Sequence, residues 1–160
     1  MKIGVLSDTH LTGYDGRLKE IAEGPFGDCD MILHAGDIVA EGVLEVFGTK
    51  DVYAVRGNMD VLSLQRQLPE KLVVSASGLR IGIMHGWGGP FGIEKRILNE
   101  FSDIDCLVYG HTHHAVNKTV DGLLIFNPGS ATGRTMGRKN SVGILEIADH
   151  KIRGRIIKLA

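Results

Sequence analysis

Five short apolar runs are the feature that most constrains what this chain can fold into. Each is four or five residues long and rich in branched side chains, which is typical of strands buried inside a sheet. They occupy residues 2–6, 31–35, 52–55, 80–84 and 106–110. A chain with this many buried strands needs cover on both faces of its sheet.

Several of these runs are separated by segments with apolar residues at helical spacing. The helices that these segments predict can cover the faces of the sheet. The three stripes are Leu18, Ile21 and Ala22; Val43, Leu44 and Phe47; and Ile93, Ile97, Leu98 and Phe101. Such stripes are the buried faces of amphipathic helices. The resulting βαβαβ order predicts an α/β fold with parallel strand pairing.

After residue 110 the pattern changes to strands joined by turns. The strand runs are 115–120, 123–126, 142–147 and 152–159, with turns at 121–122 and 148–150. A further hairpin joins 72–76 to 79–83. We predict an antiparallel meander here, and because one open sheet of so many strands would curl strongly, a second sheet. The prediction is a single-domain α/β/β/α sandwich over residues 1–160, with two mixed β-sheets flanked by helices.

Polar side chains follow the carboxyl end of each of the five runs. They are Asp8, His10, Asp37, Asn58, His85, His111 and His113. In open α/β sheets the crevice beyond these strand ends is where ligands bind. Asp8 with His10, and His111 with His113, are i, i+2 pairs that extended backbone would project to one side. Seven oxygen and nitrogen donors are too many for one tetrahedral zinc ion. They suit two metal ions about 3.5–4 Å apart that share a carboxylate.

The ordered set "DTH", "GD", "GN", "HG" and "GHTH" resembles the calcineurin-like metallophosphoesterase superfamily. The short chain and the "NPGS" at 127–130 resemble its small prokaryotic phosphodiesterase branch. The resemblance covers nearly the whole chain. It implies a dinuclear-metal-dependent phosphodiesterase that hydrolyses phosphate esters by attack of a metal-bridging hydroxide.

The resemblance also implies which residues hold each metal. The first would be bound by Asp8, His10, Asp37 and His113, and the second by Asp37, Asn58, His85 and His111. Asp37 would bridge, and Asp37, Asn58 and His85 would hold the hydroxide and position the phosphate. Two divalent ions, two carboxylates and one hydroxide leave a formal charge of about +1, which attracts phosphate. Oxygen and imidazole donors accept Mn, Fe, Zn, Ni or Co, and the resemblance favours Mn.

Two further polar residues are expected to support the ligands. His34 lies in the second apolar run, where a buried structural or supporting role is favoured over direct ligation. Asp60 is expected to orient a metal-bound histidine through its free ring N–H. Its alternative is a simple turn residue.

Met59 stands where many relatives have a histidine after the metal-binding asparagine. That histidine can protonate the leaving group, and a thioether cannot. The substitution predicts poor turnover of alkyl phosphomonoesters and better turnover of activated or aryl diesters. His114 could replace the donor if the backbone curls after the last strand; otherwise it is a surface histidine.

Two residues are candidates for contact with the substrate. Trp87 replaces the second histidine of the "HGH" common in relatives; its indole either stacks on an aromatic group of the substrate or packs against a sheet or subunit interface. Arg134 lies in a polar loop over 127–139 and either meets a phosphate or is solvated.

Composition limits the partners. A net charge of −1, from 18 basic and 19 acidic residues, gives no signal for nucleic acid or a membrane surface. The amino-terminal apolar run is too short for a signal peptide, and a cytoplasmic location is expected. Cys29 and Cys106 are lone cysteines expected to be buried. The expected partner is a small phosphate ester, and the apolar edge strands would allow a homodimer.

Two other functions remain open from the sequence. One is a phosphomonoesterase or nucleotidase, which Met59 disfavours. The other is a non-catalytic protein-binding scaffold, because this fold has that role in a retromer subunit that resembles these enzymes. A complete set of metal ligands favours the enzyme.

Overall fold

The computed structural model describes residues 1–133, 137 and 139–159, and within them ten strands form two five-stranded sheets. In the first half of the chain the strands are β1 (Lys2–Leu6), β2 (Met31–His34), β3 (Asp51–Ala54), β4 (Lys71–Ala76) and β5 (Leu79–Met84). In the second half they are β6 (Cys106–Tyr109), β7 (Val116–Val120), β8 (Leu123–Asn127), β9 (Ser141–Ala148) and β10 (Lys151–Lys158).

Both sheets are mixed, as predicted. The first has the order β10-β9-β1-β2-β3, in which β1, β2 and β3 run parallel and β9 is antiparallel to β1. The second has the order β4-β5-β6-β8-β7, with β5, β6 and β8 parallel. Parallel strands within each sheet bring their carboxyl ends to one edge, which is where the polar residues lie.

Alternating side chains explain how the sheets pack. Ile3 and Val5 of β1 face Ile81 and Val108 of the other sheet in one buried core. On the outer face of the first sheet, Leu6 packs with helix residues such as those of α1 (Gly16–Glu23). A third cluster covers the second sheet with α3 (Ile93–Leu98). The α/β/β/α sandwich is confirmed, and Cys29 and Cys106 are buried and free as expected.

The predicted meander is wrong, although its hairpins are correct. β7 pairs with β8 across residues 121–122, and β9 pairs with β10 across 149–150. However, β8 lies beside β6 in the second sheet, whereas β9 lies beside β1 in the first. The chain therefore crosses between the sheets after β8. Alternation identifies which face of a strand is buried but not which strand lies next to it.

The helices differ from the sequence pattern in two places. Glu41–Phe47 forms a 3-10 helix that buries Val43 and Phe47. The helix α2 (Leu62–Gln67) was not predicted, because among its six residues only Leu64 is buried and no stripe can be recognised. In the described part of the chain, none of the helices is long and apolar enough to cross a membrane.

Candidate metal centre

Loops from both sheets meet at the edge formed by the strand carboxyl ends. The loop after β1 is held against the loop after β2, because the Asp8 N–H donates to Gly36 O and the His10 N–H to Asp37 O, both at 3.0 Å. From the second sheet, the Gly110 N–H donates to His85 O at 3.1 Å. Backbone hydrogen bonds thus fix the loops before any ligand binds.

The four residues assigned to the first metal form one cluster. Their ligand atoms, from Asp8, His10, Asp37 and His113, all lie within 4.8 Å of one another. His10 Nε2 is 3.1 Å from His113 Nε2, and His113 Nε2 is 3.2 Å from Asp8 Oδ1. His10 Nε2 is 3.6 Å from Asp37 Oδ2. The resemblance implied this set for the first metal, and the geometry brings it together.

The residues assigned to the second metal converge beside the first cluster. Asn58 Oδ1 is 3.2 Å from His85 Nε2 and 3.1 Å from His111 Nδ1. Asp37 Oδ2 is 3.4 Å from His85 Nε2. The Asp37 carboxylate therefore contacts both groups, which is the position a bridging ligand requires.

Hydrogen bonds to the backbone determine which ring nitrogens face the centre as lone pairs. His85 Nδ1–H donates to Ala35 O at 2.7 Å, and His111 Nε2–H donates to Gly88 O at 2.8 Å. The other nitrogen of each neutral ring then points a lone pair at Asn58 Oδ1. Acceptors this close repel one another unless a cation lies between them. The tautomers therefore suit metal ligation.

Asp8 supplies a second sign that a cation belongs here. Its Oδ1 is buried, and among the described residues it has no hydrogen-bond partner. A buried carboxylate oxygen left in this state carries a desolvation cost of about 1–3 kcal/mol or more. The oxygen and imidazole donors around it are ligands for divalent metal ions. The residues present fit such ions.

The central ion pair has shifted pKa values. Burial lowers the pKa of His85, but a hydrogen bond to the Asp37 carboxylate, the charges of Asp8 and Asp37 and the Ala35 carbonyl together raise it above the ordinary value. Burial raises the pKa of Asp37, and His85 together with the Met59 N–H lowers it below the ordinary value. A metal ion bound here would compete with a proton for His85, so its affinity would rise with pH.

The backbone at five of the candidate ligands is left-handed, not extended. The φ angles are 53° at Asp8, 50° at His10, 55° at Asp37, 67° at His111 and 53° at His113. The expectation that the i, i+2 pairs project from extended backbone is therefore wrong. Asp and His are among the residues that tolerate this region best, but each such residue still costs about 1–3 kcal/mol. Strain of this kind concentrates at functional sites.

Two glycines allow the loops to approach closely. A Cβ atom at Gly57 would lie 2.2 Å from both the backbone N and Oδ1 of Asp37. A Cβ atom at Gly110 would lie 2.0 Å from Ser7 Oγ and 2.9 Å from Asp8 Oδ2. Any side chain at either position would displace a carboxylate of the candidate centre.

His34 lies behind the ligand loops. It is fully buried, its Nδ1 accepts the Gly36 N–H at 3.2 Å, and its Nε2 lies 3.2 Å from Thr9 Oγ1. Burial lowers the pKa of His34 to about 3, so the ring is neutral. It thereby contacts both the loop after β1 and the loop after β2.

Asp60 differs from expectation in what it contacts. It was expected to hold a histidine ring, but its Oδ1 accepts the Val39 N–H and its Oδ2 accepts the Gly57 N–H, each at 2.7 Å. The reason is its place in the turn after β3, where it faces backbone donors of two adjacent loops. Asp60 therefore joins the Asn58 loop to the Asp37 loop.

The "NPGS" segment forms the floor of the centre. Ser130 Oγ donates to Asp8 O at 2.7 Å, and Asn127 Nδ2 donates to Gly110 O at 2.9 Å. Thr132, which the sequence did not single out, donates its hydroxyl to Thr9 O. Thr132 could have been identified as a second hydroxyl residue, two positions after Ser130, in a segment that has no apolar periodicity.

The remaining candidates lie at the rim. His114 is exposed, and its backbone N–H donates to Thr112 Oγ1 at 3.3 Å. Trp87 is 43% exposed and lines a cavity that also contains Asn58 and His85. Met59 is exposed, and its N–H donates to Asp37 Oδ1 at 2.8 Å. Arg134 lies outside the described residues.

Comparison with known proteins agrees with this geometry. The calcineurin-like phosphoesterase superfamily domain matches residues 1–150. A probable metallophosphoesterase of Methanocaldococcus jannaschii is 35% identical over 138 residues, which is 82% of this chain and 69% of that protein.

Two solved structures also align with this chain over nearly its whole length. An archaeal phosphodiesterase aligns with a TM-score of 0.77 and 25% identity over 98% of this chain and 100% of that one. Vps29 of Entamoeba histolytica, solved with Zn²⁺, aligns with a TM-score of 0.69 and 25% identity over 99% of each chain. With the matched domain spanning most of its length, this chain belongs to the calcineurin-like phosphoesterase superfamily.

Proposed function

We propose that this protein is a dinuclear-metal-dependent phosphodiesterase. The observation that carries the proposal is the Asp37 carboxylate, which lies 3.6 Å from His10 Nε2 of one ligand group and 3.4 Å from His85 Nε2 of the other. One carboxylate shared by two groups of donors is the arrangement of two-metal phosphoesterases. The similarity to an archaeal phosphodiesterase supports the same activity.

Two divalent ions, Mn²⁺ first and Fe, Zn, Ni or Co as alternatives, would supply a nucleophile at neutral pH and neutralise the phosphate charge. The chain's own residues orient the metal-binding side chains and set the charge of the centre. His85 and His111 are oriented by Ala35 O and Gly88 O, so that their lone pairs point inward. Asp37 and Asp8 are the acidic ligands, and neutral donors complete the set. The centre then keeps a net positive charge that binds a phosphodiester anion.

The absence of a proton-donating side chain at Met59 favours diesters with good leaving groups. Met59 is fixed next to the centre by its backbone bond to Asp37, so its side chain lies at the rim where substrate arrives. A thioether carries no transferable proton. We expect higher kcat/KM for an aryl diester than for an alkyl phosphomonoester. The reverse order would make the protein a phosphomonoesterase or nucleotidase.

The central test is metal-dependent hydrolysis of bis(p-nitrophenyl) phosphate. We expect activity with added Mn²⁺, its loss with a chelator and its return with excess metal. Asp37→Asn is expected to reduce kcat/KM by at least about 100-fold, because even residues that only support a ligand are worth about 10–100-fold. The matched control is Asp28→Asn, at an exposed surface pair with Lys2. Full activity of metal-stripped Asp37→Asn would refute the proposal.

The alternative to an enzyme is a non-catalytic protein-binding scaffold. A scaffold has no need of metal ligands and can lose them without unfolding. In this chain the positions expected to ligate carry Asp, His or Asn side chains. That complete set supports the enzyme, and absence of turnover with any metal would support the scaffold.

A further inference from the structure

A cavity of about 350 Å³ opens beside the second ligand group. Asn58 and His85 form part of its wall, so a substituent on a phosphate bound at the centre can enter it directly. Arg56, Glu70 and Trp87 also line it. The volume is at the lower end of small-molecule sites, about 300–1,000 Å³, and suits one ring system better than a long chain.

Two opposite charges lie side by side in this cavity. Arg56 Nη2 donates to Glu70 Oε2 at 3.1 Å, and Arg56 Nη1 donates to Gln65 O at 3.0 Å. A guanidinium has five N–H donors, so further ones remain for a ligand, and Glu70 Oε1 can accept. A second phosphate would be repelled by Glu70, and an acyl chain would have to desolvate both charges. The pair suits a neutral group that offers a donor and an acceptor on the same edge.

Trp87 supplies a flat apolar surface for the same group. Trp87 is 43% exposed, and the loop that carries it is fixed, because Arg96 Nη2 donates to Trp87 O at 2.9 Å. An indole that remains exposed on a fixed loop can stack on a planar ring. Alkyl groups would gain little from it.

We infer that this cavity is a nucleobase subsite: the base stacks on Trp87 and its edge meets the Arg56–Glu70 pair while the phosphate occupies the metal centre. The inference rests on the proposed function and makes the substrate a nucleotide ester. The Watson–Crick edge of every nucleobase offers a donor beside an acceptor. The pair therefore recognises a base without selecting one.

The first experiment compares guanosine 5′-monophosphate with ribose 5-phosphate, which lacks only the base. Their dissociation constants are measured by calorimetry on the Mn²⁺-loaded protein. Stacking of one base contributes about 5- to 150-fold in affinity, so we expect a ratio in that range. Trp87→Ala should lower the ratio toward one. The matched control is Phe91→Ala, on the same loop but 93% exposed and lining a different cavity, which should leave the ratio unchanged.

The second experiment separates a base from any other aromatic ring. Phenyl phosphate can stack but has no hydrogen-bonding edge. We expect Glu70→Gln to weaken binding of the nucleotide roughly tenfold more than binding of phenyl phosphate, because only the base loses a charged acceptor. Glu23→Gln, at the exposed i, i+4 pair with Lys19 on α1, is the matched control and should change neither.

The outcomes separate this inference from the proposed function. Equal affinity for the nucleotide and the sugar phosphate, or a ratio unaffected by Trp87→Ala, would overturn the nucleobase subsite while metal-dependent hydrolysis persists. An equal effect of Glu70→Gln on the nucleotide and on phenyl phosphate would also overturn it. Failure of every phosphate to bind or react in the metal-loaded protein would instead refute the proposed function.

Discussion

A methyl group added at Gly57 would collide with the residue that joins the two ligand groups. The new Cβ atom would lie 2.2 Å from Asp37 N and from Asp37 Oδ1. Carbon contacts are optimal at about 3.5–4.0 Å, so one loop must move by more than about 1 Å. That movement stretches the 2.8 Å bond from the Met59 N–H to Asp37 Oδ1 and the 2.7 Å bond from the Gly57 N–H to Asp60 Oδ2.

The cost of Gly57→Ala has two parts. Overpacking costs about 1–3 kcal/mol, and loss of one hydrogen bond to a carboxylate costs about 1.5–3 kcal/mol. The free energy of unfolding should therefore fall by about 2.5–6 kcal/mol. For a chain of 160 residues each kcal/mol shifts Tm by about 2–4 °C, which gives a decrease of roughly 5–24 °C.

The assay is thermal and urea unfolding in a chelator, followed by a Mn²⁺ binding isotherm. The matched control is Gly16→Ala, at the first residue of α1, where an added Cβ meets nothing within 4 Å. It should be neutral or stabilise by about 0.4–1 kcal/mol. The reasoning is refuted if Gly57→Ala keeps wild-type unfolding to within about 1 kcal/mol and binds metal unchanged.

Three further changes test other parts of the centre. Asp8→Asn removes a buried charge, so in a chelator the variant should unfold at the same or a higher urea concentration than the wild type. Added Mn²⁺ should stabilise the variant less than the wild type. A loss of more than about 2 kcal/mol in the free energy of unfolding in the chelator would contradict this. Because the pKa of His34 falls from 6.5 unfolded to about 3 folded, the unfolded chain binds the extra proton, and stability is lost as pH falls from about 6.5 towards 3. His34→Gln should flatten the urea-measured pH slope between these values by up to about 1.4 kcal/mol per pH unit, and an unchanged slope would exclude His34 as its source. Met59→His should raise turnover of alkyl phosphomonoesters by about 100-fold and add a pH-dependent limb to the rate profile; identical rates would show that no donor is needed at this position.

The sequence was sufficient to predict that these candidate ligands lie together, because each one follows a recognisable apolar run. Asp37, for example, follows β2 after two residues and His85 comes directly after β5, and parallel pairing brings strand ends together. The left-handed backbone at Asp8 and His10 could not be predicted, because polar residues after a strand are compatible with several loop conformations.

The other differences between the predictions and the structure depend on tertiary contacts. Asp60 contacts backbone N–H groups of Val39 and Gly57, and no local pattern identifies a partner 21 positions away. The position of β9 beside β1 depends on which sheet has space for a fifth strand, which hydrophobic alternation does not encode. Arg56 and Glu70 were missed because each alone is an ordinary surface charge.

The position of β9 has a consequence for biosynthesis. β1 is an interior strand that needs β9 as its antiparallel neighbour, and Ser130 binds the Asp8 carbonyl from 122 positions further along the chain. At about 5–20 residues per second, β1 waits on the order of 7–27 s for that neighbour to be translated. Asp8 and His10 are thus translated well before Ser130, which contacts the Asp8 carbonyl in the folded protein. Until the later strands are translated, the first cluster consists of Asp8, His10 and Asp37, held only by the backbone bonds between the loops after β1 and β2.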